Sequence, residues 1–492
     1  MATQERINKR TIPATALVNL LLCIGLFLIV FGLLTDKPIL AIGAICSPMA
    51  LYTIGYGFKN PRFTFLLYIF YSYFFIYIMR YLRKDGLSVG LDILLIYMVC
   101  TLLLTIVLDR KSNFNIRNAV NGLTICYFIW IIYILFQMLN PGTSLEGMTR
   151  GFRILIIGNL TLYVVLSLMT NTPKIFRTFL IFLGILTIIS FIKLLYQRFI
   201  DFDLGEKYFL YAQEAYRTHM LNTGTRYFSF FSDAGNFGPN MGAIAIIYSI
   251  TSFFTHNKRL KIYFAIIAVM GLIGMFMSGT RSAIAVPFGG LALYCLLCKN
   301  IKIFATAAMV GILSFSFLAF TDIGEDNTFI RRMRTAIRPT EDASFNVRQT
   351  NKVMIAEHLE NKPFGVGIYQ KIPKLWSNPD GTYSPGTLPP DSYLVDIWIQ
   401  HGIVGLIIHL SMYAIMILWG SYLVLFKVKN KALSQILAVF LGVVLGFIIN
   451  AYAGQSFEQH PTTTIIAILL AFVMNGPYID KQLSKENNNY IL

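Results

Sequence analysis

The chain has 492 residues, of which 56% are hydrophobic and only 13% are charged, and it carries a formal net charge of +17. Its mean hydropathy is +0.62. A soluble protein of this length would need many more charged residues to cover its surface, so the composition excludes a soluble globular enzyme. The basic residues are spread in twos and threes along the chain, unlike the clustered basic surface of a nucleic-acid-binding protein.

The dominant pattern is a series of long apolar runs, each sufficient to cross a hydrocarbon core of roughly 30 Å. They predict an all-α polytopic membrane protein with about 14 transmembrane helices, in the range 12–14. The predicted spans are 14–34, 38–58, 63–81, 89–108, 119–139, 152–170, 176–196, 239–255, 262–278, 282–298, 303–320, 397–426, 433–452 and 461–476.

Lysine and arginine accumulate in alternate short connections, beginning with Arg6 and Lys9. The positive-inside rule therefore predicts that both termini are cytoplasmic, although Arg80 and its basic neighbours break the pattern. Three segments then lie outside: 197–238, 321–392 and 453–460. We divide the chain into N-terminal helices, a periplasmic segment, core helices, a large periplasmic loop, C-terminal helices and a cytoplasmic tail, at 1–196, 197–238, 239–320, 321–396, 397–476 and 477–492.

The outer segments contain predicted local structure. A short interfacial helix is expected over 205–216, and Pro239 is expected to open the next span in its first turn. In the large loop, a helix is predicted from about 344 to 360 with Ser344 as its cap, ending before Pro363.

Cofactor motifs are absent from the sequence. All six cysteines lie in predicted spans, so a disulfide framework is not expected. There is no Walker A motif, dinucleotide fingerprint or zinc-protease motif. We expect neither a cofactor nor a metal.

Arg281 is the first candidate site residue. It lies in MSGTRSA at the outer mouth of a predicted span, next to small residues. A charge so close to hydrocarbon is costly and usually has a task. Its planar guanidinium suits bidentate binding of phosphate, although an arginine that snorkels to lipid headgroups would fit as well.

Further cations lie in the outer segments. Arg348 and Lys352 are one turn apart on the predicted loop helix and would share a face; an ordinary solvated helix face is the alternative. Arg217 and Arg226 are weaker candidates for substrate binding. The basic run 331–338 would also suit contact with anionic membrane lipid.

Asp391 is the best acid–base candidate. It follows two prolines where the chain re-enters the membrane, and a carboxylate there can accept a proton from a sugar hydroxyl. Alternatively, Asp391 only caps the following helix. Asp396 and His401 lie further along that helix, where a packing role is favoured for His401. Glu458 and His460 are possible contacts of an acceptor.

Four pieces occur in a fixed order: FSFFSDAGNFGPN, MSGTRSA, the Arg348 helix leading into NKPFGVGIY, and PDSYLVDIWIQHGIVGL. In this order they resemble the bacterial O-antigen ligase/polymerase superfamily of integral membrane glycosyltransferases, over roughly residues 225–410. The resemblance implies a GT-C-like fold and metal-independent, inverting transfer of a glycan from undecaprenyl diphosphate at the periplasmic face of the inner membrane, in cell-surface polysaccharide or lipopolysaccharide synthesis.

The resemblance also implies roles for individual residues. Arg281 and Arg348 would hold the diphosphate and stabilise its developing charge, and the lipid tail would lie between helices. The lipid A-core ligases carry a catalytic histidine where this chain has Asp391, whereas aspartate is common among polymerase-like relatives. This favours a polymerase, or a ligase with another acceptor; the acceptor is left open as a glycan, a lipid or a protein.

Two other classes compete with a glycosyltransferase. A flippase or transporter of an anionic lipid-linked glycan would show inverted repeats and broken midplane helices, which the sequence does not indicate. A scaffold protein would not explain Arg281 and Arg348.

Overall fold

The computed structural model describes residues 38–83, 86–108, 114, 116–221, 224–324, 326–334, 343–377 and 383–485. The predicted span 14–34, Arg338 and the end of the predicted tail lie outside these residues. The segment up to Phe63 and the remainder of the chain form two separate units.

The first unit contains one described helix, α1 (Pro38–Lys59), and the first residues of α2. The main helices after it are α2 (Pro61–Leu82), α3 (Val89–Leu108), α4 (Gly122–Gln137), α5 (Leu145–Met169), α6 (Pro173–Phe199), α7 (Leu204–Lys207), α8 (Tyr216–His219), α9 (Ala234–Phe254), α10 (Lys258–Met277), α11 (Ala285–Leu297), α12 (Ile301–Phe320), α13 (Thr328–Arg334), α14 (Ala343–Leu359), α15 (Tyr393–Tyr422), α16 (Lys431–Asn450) and α17 (Thr462–Lys485).

Short elements complete the described chain. α5 contains a π-helical segment, Phe152–Gly158, and π-helical turns follow α7 and α15. Single 3₁₀ turns are Ile116–Ala119, Arg281–Ile284 and Ser456–Glu458. Two antiparallel hairpins pair β1 (Met220–Leu221) with β2 (Gly224–Thr225) and β3 (Pro373–Ser377) with β4 (Tyr383–Thr387).

The helices agree well with the predicted spans. Among the described residues, nine helices are long and apolar enough to cross a membrane, and three shorter apolar helices accompany them. Each of these twelve overlaps one predicted span, and α1 overlaps another. The chain is therefore a multi-pass membrane protein, while the total of 14 spans and the topology remain predictions.

Helices α9, α16 and α17 form the centre of the second unit, since most of their side chains are buried in the protein. Small residues bring helices into direct backbone contact: a Cβ added to Gly442 of α16 would collide with the Gly290 carbonyl of α11. Such contacts are typical of packed membrane helices. They place the start of α11 against the end of α16.

Three local predictions were wrong. α9 begins at Ala234 with Asp233 as its cap, so Pro239 lies inside the helix. The cap wins because the Asp233 carboxylate accepts the Asn236 N–H, a bond that a proline cannot provide. α14 begins at Ala343, so Ser344 is not its cap. The interfacial helix is shorter than expected and ends at Ala212.

α15 is broken at Gly402, which has φ +67°. The segment after α14 fills the break with backbone hydrogen bonds: Val366 and Gly367 donate to the carbonyls of Ile399 and Gln400, and Val404 donates to Pro363. An added Cβ at Gly402 would collide with the Pro363 carbonyl. The glycines of NKPFGVGIY and QHGIVG therefore join the large loop to α15.

Candidate functional site

The site is built around the turn between α10 and the Arg281 3₁₀ turn. Gly279 has φ +56°, a conformation that glycine adopts without strain. At the place of its missing Cβ, Cγ of Arg226 and Cδ of Arg332 would each lie 3.3 Å away. Gly279 thus leaves room for two arginine side chains beside Arg281. The small residues around Arg281 provide space for further cations.

Arg226 follows the β1–β2 hairpin and reaches across to this turn. Its guanidinium donates to Thr280 Oγ1 at 2.9 Å and to the Thr218 carbonyl at 3.0 Å. Its buried Nε has no hydrogen-bond partner among the described residues. Burial lowers the pKa of Arg226, and the charges of Arg281 and Arg348 lower it further, against the opposing effect of Asp233. Like charges therefore converge at this position.

We call Arg226, Arg281, Arg332 and Arg348 the arginine cluster. All four side chains are half-buried. They come from four separate elements, and the Asp233 carboxylate is already engaged as the cap of α9. The convergence of four guanidinium groups favours a positive pocket, which is suited to a ligand with more than one negative charge.

His219 lies behind the cluster and has no positive charge at neutral pH. Its Nδ1–H donates to the Ala215 carbonyl at 2.9 Å, and its Nε2 accepts from the Ala234 N–H at 3.3 Å. Burial lowers its pKa to about 4, and the charge of Arg226 contributes in the same direction. This histidine supports the hairpin and α9 rather than a ligand.

The loop 451–455 connects the cluster to the large outer loop. Arg348 on α14 donates to the Ala453 carbonyl at 3.0 Å, and Lys352 places its Nζ 4.0 Å from the centre of the Tyr452 ring. Gly454 lies close to Ser282, next to Arg281. The predicted shared face of Arg348 and Lys352 is therefore turned toward this loop, and Arg348 reaches the cluster.

Asp391 is held beside the same helix. Asn351, three residues after Arg348, donates from Nδ2 to Asp391 Oδ2 at 2.8 Å. Asp391 has φ +57°, a conformation that costs energy outside glycine and is often found at functional sites. The alternative capping role was wrong, because Ser392 is the cap of α15 and accepts the Val395 N–H. The Asp391 side chain is oriented by α14.

An apolar groove leads away from the cluster. It has a volume of about 820 Å³ between α9, α10, α11 and α12. Phe276 and Ile284, which line it, flank the 278–281 turn on either side. Phe253 and Val269 line it further along and are strongly exposed. The groove is therefore open at the protein surface, and one part of it lies next to the turn that carries Arg281.

Other predicted residues lie elsewhere. Arg217 is exposed and forms an ion pair with Glu214 at 2.9 Å. His401 is buried against Trp130, and its backbone carbonyl accepts from the Tyr133 hydroxyl at 2.7 Å, which indicates a packing role. Asp396, Glu458 and His460 line a separate cavity on the other side of Pro390.

Two site residues were missed by sequence reasoning. Arg332 is one of several arginines in a short run, and only its contact with Gly279 distinguishes it. Asn351 had no signal apart from its position one turn after Arg348. Arg80, which contradicted the topology pattern, is explained by the fold: its guanidinium lies 4.1 Å from the Phe209 ring centre and donates to the Ser232 carbonyl.

In the described parts of the chain, no three His, Cys, Asp or Glu side chains come together as a metal site would require. The residues of the cluster offer guanidinium donors and no carboxylate set for a cation.

Residues 266–410 match the family model described as O-antigen ligase. The match covers less than a third of the chain and includes Arg281, Arg332, Arg348 and Asp391. It confirms the resemblance to the O-antigen ligase/polymerase superfamily, whose enzymes are of the glycosyltransferase type. The first of the four quoted pieces and Arg226 precede the matched residues. Comparison with curated proteins and with solved structures yields no match.

Proposed function

We propose that this protein is a metal-independent, inverting glycosyltransferase that uses an undecaprenyl-diphosphate-linked glycan as donor. The observation that carries the proposal is the arginine cluster at a turn whose flanking residues, Phe276 and Ile284, line an open apolar groove. A lipid diphosphate has both parts that this arrangement would bind: a long hydrocarbon tail and a headgroup with several negative charges.

The arginines would contribute to catalysis by stabilising charge. As the bond between the sugar C1 and the diphosphate oxygen breaks, the leaving diphosphate gains negative charge. Fixed donors aimed at such charge lower the barrier more than they stabilise the substrate. Arg281 and Arg348 would take this role, and Arg226, already a candidate, and Arg332 would be further donors because they converge on the same turn.

Asp391 would act as the general base. The hydrogen bond from Asn351 occupies Oδ2, which leaves Oδ1 to accept the proton of an acceptor hydroxyl. The acceptor oxygen then attacks C1 from the face opposite the leaving group, so the configuration inverts. One C–O bond forms and one breaks, and the bonding electrons leave with undecaprenyl diphosphate. The proton on Asp391 passes afterwards to water or to the released diphosphate.

A polymerase is favoured over a lipid A-core ligase. The observation is the aspartate at position 391, where those ligases carry a histidine. We also propose the orientation that the distribution of lysine and arginine predicts. The arginine cluster and Asp391 then face the periplasm, both termini are cytoplasmic, and the helices lie in the bacterial inner membrane. The product is a cell-surface polysaccharide.

One structural feature is shared with transporters, namely the break of α15 at Gly402. Broken helices in transporters expose backbone groups that bind ions or substrate. Here the freed groups bond to residues 363–367 and to the Tyr133 hydroxyl. The break is therefore used to attach the outer loop, which favours the glycosyltransferase over a flippase.

The test is transfer by purified protein in liposomes, with native undecaprenyl-diphosphate glycan and with neither ATP nor divalent metal. Arg281→Ala and Arg348→Ala are each expected to lower transfer at least about 100-fold, as for the loss of one donor to a developing anion. Arg259→Ala, at the opposite end of α10 and exposed, is the matched control.

The result has three clear readings. Loss in both site variants, with the control unaffected and all proteins folded, supports the proposal, and product length distinguishes a polymerase from a ligase. Normal transfer by both variants contradicts the proposed binding of the diphosphate by Arg281 and Arg348. Movement of the lipid across the bilayer without transfer would support the transporter instead.

A further inference from the structure

A second cavity lies beside the arginine cluster and has a different character. This polar cleft has a volume of about 730 Å³, within the range of ordinary ligand sites. It lies between α2, α3, α5 and the start of α15, and residues 455–460 form another wall. The proposed function does not yet assign a binding site to the acceptor. The residues of the arginine cluster do not line this cleft.

The charges in the polar cleft balance. Three of its lining side chains are acidic and three are basic: Asp92, Asp396 and Glu458, and Arg150, Arg153 and Lys371. Asp92 already forms an ion pair with Arg153, whose Nε donates to it at 2.7 Å. An anion such as a diphosphate therefore has no preference for this cleft over the arginine cluster. An uncharged polar ligand fits its balance.

Groups that bind sugar hydroxyls project into the polar cleft. The Glu458 carboxylate makes no hydrogen bond or ion pair with the described residues, although its side chain is exposed to the cavity. Asp396 accepts one hydrogen bond, from Gln400 at 2.8 Å, so its second oxygen can accept others. The walls of the cleft exclude water around Glu458, and this desolvation, together with the charge of Asp396, raises its pKa to about 7. The ionised carboxylate accepts hydrogen bonds from hydroxyls.

Aromatic walls accompany these polar groups. Tyr369 and Tyr393 both line the polar cleft, and the Arg150 guanidinium lies 4.5 Å from the Tyr369 ring centre. A ring can contact the apolar C–H face of a pyranose while neighbouring carboxylates bind its hydroxyls. A peptide acceptor is often bound through an exposed strand edge or a groove for a helix, and the described residues that line this cleft form neither element.

The polar cleft adjoins the reaction centre. Pro389 and Pro390 form part of its wall, and the next residue is Asp391. The loop 451–455 is shared as well: Ala453 accepts from Arg348, whereas Gln455 lines the cleft. The cleft therefore adjoins the segment that carries Asp391, although the Asp391 side chain does not itself line it.

α5 has an unusual backbone where it borders the cleft. Its π-helical segment, Phe152–Gly158, contributes Arg153, Ile154 and Gly158 to the wall. π-Helical turns are rare and are frequently found at functional sites. No part of the proposed donor site explains this segment, which contacts neither the arginine cluster nor the apolar groove.

We propose that the polar cleft is the acceptor site and that the acceptor is an uncharged carbohydrate, bound through Asp396, Glu458 and the rings of Tyr369 and Tyr393. This rests on the proposed glycosyl transfer, since it identifies the second substrate of that reaction. The acceptor sugar places one hydroxyl at Asp391. The glycan can be carried by undecaprenyl diphosphate or by another glycolipid, because both present the same hydroxyls to the cleft.

The test measures binding of two probes to the full-length protein in nanodiscs by calorimetry. One probe is undecaprenyl diphosphate without sugar, and the other is the free oligosaccharide that mild acid releases from the donor. Glu458→Gln and Asp396→Asn are expected to weaken oligosaccharide binding at least about 10-fold while leaving undecaprenyl diphosphate binding within about twofold. Retained lipid binding also shows that the variants are folded.

Two controls make the result decisive. Glu357→Gln removes an exposed carboxylate of α14 and is expected to change neither affinity. Arg281→Ala is expected to weaken only undecaprenyl diphosphate binding. The proposal is overturned if wild type does not bind the oligosaccharide at millimolar concentration, if the cleft variants bind it normally, or if Arg281→Ala is the variant that loses it.

The two proposals fail separately in this experiment. If wild type binds the oligosaccharide but not undecaprenyl diphosphate, the proposed donor is wrong and the carbohydrate cleft stands. Adding the oligosaccharide together with the intact donor then distinguishes the two acceptor sources. A polymerase extends the free oligosaccharide, whereas an enzyme with a glycolipid acceptor binds it without extension; both results support a carbohydrate cleft.

Discussion

Two groups of charged side chains in the described part of the chain differ in how their charges are arranged. In the first, Lys193 of α6 contacts the carboxylates of Asp203 and Glu206 at 2.6 and 3.1 Å, and Gln197 donates to Glu206 at 2.8 Å. In the second, the four arginines of the arginine cluster converge on one turn, where the charges of Arg281 and Arg348 act on Arg226. The first group balances its charge within the protein, and the second concentrates it.

The pKa values follow the same division. Burial raises the pKa of Glu206, and although burial also acts on Asp203, hydrogen bonds from Lys193 and Tyr77 lower the pKa of that carboxyl overall. Arg226 instead has its pKa lowered by burial and by other arginines. Compensated charges hold the fold, whereas converging charges of one sign indicate a site for a ligand of the other sign.

The largest expected effect comes from Asp391→Asn. If Asp391 is the base, the change removes proton transfer and lowers kcat by roughly 100-fold or more. Affinity for undecaprenyl diphosphate stays within about twofold, since Asn351 can still bond to the amide oxygen. Single-turnover transfer and lipid binding measure the two quantities. An unchanged kcat would remove Asp391 from the mechanism and leave the arginine cluster as a binding site alone.

Lys193→Met tests the compensated group. It leaves the buried carboxylates of Asp203 and Glu206 without their cation, which costs about 3–5 kcal/mol and lowers Tm by roughly 5–10 °C. Lys207→Met, which breaks an exposed pair with Asp201, should change Tm by about 2 °C or less. Transfer per folded molecule stays at the wild-type level in both. Loss of transfer without loss of Tm would break the distinction between the two groups.

Arg332→Ala tests whether the arginine cluster binds a ligand without stabilising the fold. The loss of one hydrogen bond to a charged ligand costs about 1.5–3 kcal/mol, so undecaprenyl diphosphate binding weakens roughly 10- to 100-fold while Tm does not fall. Arg331→Ala is the neighbouring exposed control and should bind normally. Arg80→Ala should leave undecaprenyl diphosphate binding unchanged. It should lower Tm, because the guanidinium is buried between Phe209 and Phe228. Equal weakening by both α13 variants would mean a diffuse surface charge.

The smallest expected effect is a pH dependence of stability from Glu458. Its pKa is raised to about 7 in the folded protein from about 4.3 in the unfolded chain. Between these values the folded state binds more protons, so stability falls as pH rises through this window. The Tm difference between wild type and Glu458→Gln should therefore change between pH 5 and pH 8 and be constant above pH 8. Using the difference cancels the opposite contribution of His219, whose lowered pKa makes folding less favourable as pH falls below about 6.5.

The sequence predicted the helices well because hydrocarbon imposes one length and one composition on them. It also singled out Arg281 and Asp391 as candidates, since a charge at the end of an apolar run stands out; their roles stay predictions. It did not separate Arg332 from Arg331, because only the packing of α13 against Gly279 distinguishes neighbouring residues of identical chemistry. The cap of α9 was missed because Pro239 offered a stronger local signal than Asp233.

The pieces that carried the resemblance turn out to have unlike roles. MSGTRSA forms the centre of the arginine cluster, whereas NKPFGVGIY and QHGIVG meet at the break of α15 and join backbone to backbone. Sequence patterns cannot separate these roles, because a glycine needed for close packing and an arginine needed for a ligand are equally distinctive in a string of letters.

The junction at Gly402 has a consequence for turnover. The outer loop is attached to other segments at two places, Arg348 to Ala453 and residues 363–367 to α15, and the Asn351–Asp391 hydrogen bond closes it internally. The loop is therefore fixed in place, because opening it would break backbone hydrogen bonds to a membrane helix. With the proposed lipid-linked donor, undecaprenyl diphosphate would leave sideways through the apolar groove. Its exchange would then be two-dimensional diffusion, and transfer should slow as the bilayer becomes more viscous.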